Sequence, residues 1–130
     1  MKVSQVMSKA VVIDDTVTLR HAASVMSKKN IASVVVVKDG KIKGYVSESD
    51  VLANLEKLDK PVINSMSKGV TTIDAEAEVT EAGRIMADKQ IRRLPVVRNG
   101  KLVGAVSFRD IIRYSKTGQS GGDEGDFFLN

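Results

Sequence analysis

Lys38-Asp39-Gly40-Lys41-Ile42-Lys43-Gly44-Tyr45-Val46-Ser47-Glu48-Ser49-Asp50 is written a second time as Arg98-Asn99-Gly100-Lys101-Leu102-Val103-Gly104-Ala105-Val106-Ser107-Phe108-Arg109-Asp110, at a constant offset of 60 residues. Each copy spells the end of one strand, a tight turn on Asp-Gly or Asn-Gly, a second strand, and a Ser-x-x-Asp that opens a helix. One unit has been used twice.

Upstream of this stretch, Ser33 to Val37 is a short β-branched run, and Leu94-Pro95-Val96-Val97 is its counterpart. Both are too short for an ordinary helix and read as buried strands. Pro95 cannot donate a ladder hydrogen bond, so it is expected at a strand start or on an edge. Further upstream, Leu19, Ala22, Ala23 and Met26 fall on one helical face, and Val79, Ala82, Gly83 and Met86 repeat it. Gly83 weakens its helix, which suggests that another helix comes close there. Short extended pieces precede these helices at Ala10 to Ile13 and Gly69 to Ile73. The leading segments Val6-Met7-Ser8 and Ser65-Met66-Ser67 echo each other at an offset of 59, a residue having been gained near Thr71 or Thr72. Helices are expected from Glu48 to about Lys57 and from Phe108 to about Lys116, and Pro61 suits the first turn of a short helix at the junction.

These features divide the chain into repeat 1 (1–60), repeat 2 (61–116) and a Gly-rich acidic tail (117–130) that carries the apolar cluster Phe127-Phe128-Leu129. The tail composition is that of a flexible segment, and the cluster is a candidate for docking in an apolar groove. A 60-residue unit buries little surface alone, so the two copies are expected to share one core.

Composition excludes several kinds of chemistry. The 130 residues contain no cysteine and one histidine, His21. Thiolate zinc sites, disulfides and cysteine nucleophiles are therefore absent, and a histidine metal site has too few ligands. Asp14 and Asp15 would point to opposite faces of an extended chain, so they do not form a metal pair. With no acid-base pair apparent, the chain does not read as an enzyme. No apolar run approaches the roughly 20 residues of a membrane helix, which makes the cytoplasm the expected compartment. Net charge is +4. That favours an anionic ligand; a nucleic-acid role is the weaker reading, because the basic residues are scattered and aromatics make up 4%.

Ser47 with Asp50, and Ser107 with Asp110, have the spacing of a helix capping box, which accounts for them structurally. The same geometry can serve a ligand: a hydroxyl and free N–H groups suit phosphate, and a carboxylate can accept from a ribose diol. Gly44 and Gly104, just upstream, would let backbone approach a ligand closely. Arg93 and Arg109 have no cationic counterparts in repeat 1 and can grip phosphate with two bonds each.

In this order and at this doubled offset, the pattern resembles the cystathionine-β-synthase (CBS) domain, two of which form a pair called a Bateman module. The carriers are Val6-Met7, Ser65-Met66, the faces ending in Met26 and Met86, Ile91 to Val97, both Gly turns, and the Gly44 to Asp50 and Gly104 to Asp110 stretches. The resemblance implies an α/β fold of two β-α-β-β-α units, with sheets packed face to face around a pseudo-two-fold axis and clefts between the repeats. It implies an adenosine ligand in those clefts: AMP, ADP, ATP or S-adenosylmethionine. Carried over by position, it makes Asp50 and Asp110 ribose ligands and Ser47 and Ser107 phosphate or ribose contacts. The extended pieces around Val11 to Ile13 and Val70 to Ile73, with Val12, Ile13 and Ile73 among them, become adenine contacts largely through backbone groups, joined by the Thr72 side chain, and Pro95 is counted with the nucleotide-binding residues. It also implies a homodimer that regulates an enzyme or transporter, here a separate polypeptide. A dimerisation scaffold without a ligand is the alternative.

Overall fold

The computed structural model describes residues 1–115. The Phe127-Phe128-Leu129 cluster lies outside the described residues. Two three-stranded sheets of identical topology carry the two repeats. In the first, β1 (Val12–Asp14) leads through α1 (Leu19–Lys29) to β2 (Ser33–Lys38), which pairs parallel to β1 and antiparallel to β3 (Lys41–Ser47); α2 (Glu48–Ala53) follows. The second repeats this with β4 (Ile73–Asp74), α3 (Val79–Lys89), β5 (Arg93–Arg98), β6 (Lys101–Ser107) and α4 (Phe108–Ser115). Asp39-Gly40 and Asn99-Gly100 take positive φ at both turn positions, 54° and 80° in one and 52° and 78° in the other. That is the twist a two-residue hairpin needs.

Instead of one shared core there are two, and each is completed by the other repeat. Val34, Val36 and Val46 pack with Leu19, Ala22 and Met26, and Val62 from the junction joins them. Leu94, Val96 and Val106 pack with Ala82 and Met86, and Val3 and Val6 from the leading segment join those. Short 3-10 turns at Val3–Gln5 and Val62–Asn64 carry the exchanged valines. Hydrogen bonds fix both crossings: Val3 N to Ala77 O (2.8 Å) and Ser4 N to Ala75 O (2.9 Å) in one, Val62 N to Val17 O (2.6 Å) and Leu19 N to Lys60 O (3.1 Å) in the other. Surface ion pairs follow them, Lys2 to Glu76 at 2.8 Å and Arg20 to Asp59 at 2.9 Å. The neighbouring Lys2, seconded by Arg98, holds the Glu76 carboxyl below its usual range. The three exchanged valines, Val3, Val6 and Val62, are fully buried and are worth several kcal/mol together, so a single repeat without its exchanged segment is left with an open core.

Several local expectations need correcting. α2 stops at Ala53, because the Asn54 side chain donates to Asp50 O at 2.7 Å and the chain turns into a separate 3-10 turn, Leu55–Lys57. Pro61 stands just before its 3-10 turn rather than within it. Pro95 is the third residue of the central strand, opposite Ala105. It is tolerated because Ala105 spends both backbone groups on Ser8, and because β4 starts one residue too late to reach it; in repeat 1 the ladder does extend to Val12 and Val35. Gly83 meets no other helix: a Cβ there would have nothing within 4 Å. His21 is exposed, as expected.

Gly44 and Gly104 sit where the crossings touch the sheets. A Cβ on Gly44 would lie 2.5 Å from Ser67 O, and one on Gly104 would lie 2.8 Å from Ser8 O and 2.9 Å from Met7 Sδ. Both obstacles include backbone, so the segment itself would have to move. Gly104→Ala and Gly44→Ala should each destabilise by about 2 kcal/mol through overpacking. Urea denaturation checks this, and an unchanged midpoint would refute the close-packed crossing.

Candidate functional site

Both Ser-x-x-Asp sequences form reciprocal caps. Asp50 N donates to Ser47 Oγ (3.1 Å) while Ser47 N donates to Asp50 Oδ2 (2.9 Å). In repeat 2, Asp110 N donates to Ser107 Oγ (3.0 Å) and Ser107 N to Asp110 Oδ2 (2.9 Å). The second carboxylate oxygen in each case takes a hydroxyl from the crossing segment: Ser67 Oγ to Asp50 Oδ1 at 2.9 Å, Ser8 Oγ to Asp110 Oδ1 at 3.3 Å. One aspartate thus caps its helix and ties down the segment from the other repeat. Asp110 is 6% exposed. A carboxylate offers about four lone-pair directions, and these bonds use two of Asp110's.

Strand alternation places the cleft. Val34, Val36, Leu94 and Val96 face the cores, so Ser33, Val35, Arg93 and Pro95 face the opposite sheet. Between the sheets they form a slot of about 60 Å³ with Ala10, Val11, Ile31 and Ala105. Arg93 also borders a larger, polar pocket of about 510 Å³ lined by Lys29, Asn30, Arg92, Ser107, Phe108 and Arg109. An apolar slot therefore opens, past Arg93, onto a cationic chamber beside the Ser107 cap.

Pro95, Arg93, Arg109 and Ser107 are brought together around these two cavities, with Asp110 behind Ser107. The repeat-1 wall of the slot comes from Ala10, Val11, Ile31, Ser33 and Val35, so of the Val11 to Ile13 stretch singled out from the sequence it is Val11 that lines the slot. Val12 is exposed on β1, while Ile13 and Ile73 are buried in the two cores, leaving backbone groups as their means of contact. Thr72 is half-buried in the approach to β4. The room beside Gly44 and Gly104 is taken by the crossing segments, so the close approach those glycines permit is by the chain itself. Sequence reasoning did not assign Ser8, Ser67, Lys29 or Asn30 to the site. The two serines were detectable as the last members of the echoed leading segments; Lys29 was not, because its role depends on how the repeats face each other.

The family model of the CBS domain matches the chain twice in tandem, at residues 3–57 and 61–117. The chain belongs to the CBS-domain family. A 17.7 kDa protein of Acidianus ambivalens is 38% identical over 117 residues, covering 86% of this chain and 71% of that one. Among solved structures, a CBS domain pair/ACT domain protein from Thermotoga maritima superposes with a TM-score of 0.78 at 26% identity, covering 90% of this chain and 98% of the other. CBSX2, solved in complex with AMP, superposes with a TM-score of 0.77 at 25% identity, covering 89% and 96%. The α/β pair of β-α-β-β-α units is thus the family's fold, and among the described residues no helix is long and apolar enough to cross a membrane.

The two aspartate ties differ in length, which sets an energetic order. Ser67→Ala removes a 2.9 Å bond to a carboxylate and should cost about 1.5 kcal/mol, whereas Ser8→Ala removes a 3.3 Å bond and should cost less than about 0.5 kcal/mol. Parallel thermal melts decide this; equal losses would mean that the ties are equivalent.

Proposed function

We propose that this CBS pair is a cytoplasmic regulatory module that binds an adenosine nucleotide in the cleft between its repeats and passes the binding energy on as a change in how the repeats, or two copies of the chain, are arranged. The observation that carries this reading is the ordered groove of repeat 2: apolar slot, Ser107 cap, cationic chamber. A purine fits the chemistry of the slot, a ribose diol that of Asp110, and phosphates that of Arg93 and Arg109. The AMP bound to CBSX2 supports the same choice of ligand class.

A slot of about 60 Å³ is far smaller than an ordinary ligand pocket of several hundred Å³, so a purine can enter only by parting β2 from β5. A ribose reaching Asp110 would compete with Ser8 for Oδ1. Both effects give the ligand a differential affinity for two arrangements of the repeats, which any ligand-driven shift requires. Apolar grooves on the helical side suit a second copy: one holds Met26, Val51 and Leu52, the other Met86, Ile111 and Ile112 around uncovered Gly83. The regulated partner would be an enzyme or transporter.

The test is calorimetric titration of AMP, ADP and ATP at physiological salt into the parent and Asp110→Asn, with sedimentation of each sample. Saturable binding, weakened at least ten-fold in a variant whose melting temperature stays within a few degrees, and a ligand-dependent sedimentation shift are expected. Absence of binding to any of the three would leave the scaffold reading, in which Ser47, Asp50, Ser107 and Asp110 are caps alone.

A further inference from the structure

The two repeats share a backbone but not a charge pattern. Four cations line the chamber of repeat 2, Lys29, Arg92, Arg93 and Arg109, and no carboxylate lines it. None of the four forms a salt bridge among the described residues. Sixty residues away the corresponding positions are Lys89, Ala32, Ser33 and Ser49, and Glu48 stands where repeat 2 has Phe108. A single cation and a single anion there replace four cations. The chamber is also assembled from both repeats: the arginines come from repeat 2, while Lys29 ends α1 of repeat 1.

We propose that only the repeat-2 cleft receives the ligand's phosphates, that it selects a di- or triphosphate over a monophosphate, and that Lys29 reaches across from repeat 1 to hold the far end of the phosphate chain. The proposal rests on the nucleotide reading above for the base and ribose, but its charge argument is independent of them. A triphosphate carries close to four negative charges, matched by four unpaired cations, whereas one phosphate leaves cations without partners in a shared space. A chamber of about 510 Å³ has room for the longer chain. S-adenosylmethionine, with a sulfonium and a net positive charge, would be repelled. Arg92, Arg93 and Arg109 can each present a planar fork to non-bridging oxygens, while Lys29 supplies a point charge on a flexible stem, suited to a terminal phosphate. A polyphosphate bound this way bridges the repeats, so the third phosphate acts on their arrangement as well as on affinity.

The experiment titrates ATP, ADP, AMP and inorganic tripolyphosphate into the parent, Lys29→Ala and Lys89→Ala at about 0.15 M salt, with melting temperatures recorded for all three proteins. Both lysines are exposed, so neither change threatens folding. The expected result is one site per chain with ATP bound tighter than ADP and ADP tighter than AMP. Lys29→Ala should weaken ATP about ten-fold and AMP less than two-fold, and Lys89→Ala should change nothing. Two equal sites, AMP bound as tightly as ATP, or equal effects of the two lysines would overturn the proposal. Tripolyphosphate bound at one Lys29-dependent site without any nucleotide binding would uphold the phosphate chamber and defeat the adenosine reading. Nucleotide binding that ignores phosphate number would do the reverse, and no binding of any of the four would defeat both.

Discussion

The structure depends on two places where the chain passes hard against its own sheet. Ser8 crosses over Gly104 and Ser67 crosses over Gly44, at distances that leave no room for a Cβ. These crossings deliver Val3 and Val6 into one core and Val62 into the other, so neither repeat owns a complete interior. The same passages bring Ser8 and Ser67 to the aspartates that cap α4 and α2. Folding, capping and the edge of the cleft thus meet at Asp50 and Asp110, and a ligand that draws on either carboxylate acts on the segment that closes a core.

Electrostatics then separates what topology made alike. Repeat 1 has Glu48 and Ser49 at the opening of its capped helix, and repeat 2 has Phe108 and Arg109. With Arg92 and Arg93 on the neighbouring strand and Lys29 across the cleft, positive charge gathers on one side of a near-symmetric pair. Doubling a unit supplies two equivalent places, and divergence of a few exposed side chains is enough to give them different charge without disturbing either core. On the proposed reading, the apolar slot shared by both sheets would give that difference a mechanical consequence, since filling it would move one repeat against the other.

Much of this was legible in the sequence because it is local. The Asp-Gly and Asn-Gly turns, the β-branched strands, the helical faces and the capping serines each follow from residues within a few positions of one another. What was not legible is what the chain does to itself at long range. Gly44 and Gly104 looked like openings for a ligand, because nothing near them in sequence announces that Ser67 and Ser8 will lie on top. Pro95 looked like a strand-start or edge residue, because its tolerance in a central strand depends on Ala105 bonding to Ser8 and on β4 starting late. Two cores replaced the expected one for the same reason: an exchanged valine at position 3 or 62 carries no local mark of where it will be buried.

Whether ATP binds at the repeat-2 cleft is read most directly from backbone amide NMR shifts on its addition. The largest changes are expected at Ala10 and Val11, at Arg93, from Ala105 to Arg109, and at Lys29 and Asn30, with Ser47 to Ser49 in repeat 1 little affected. Changes centred on Ser47 to Ser49, or shared equally by the two repeats, would contradict binding at that cleft.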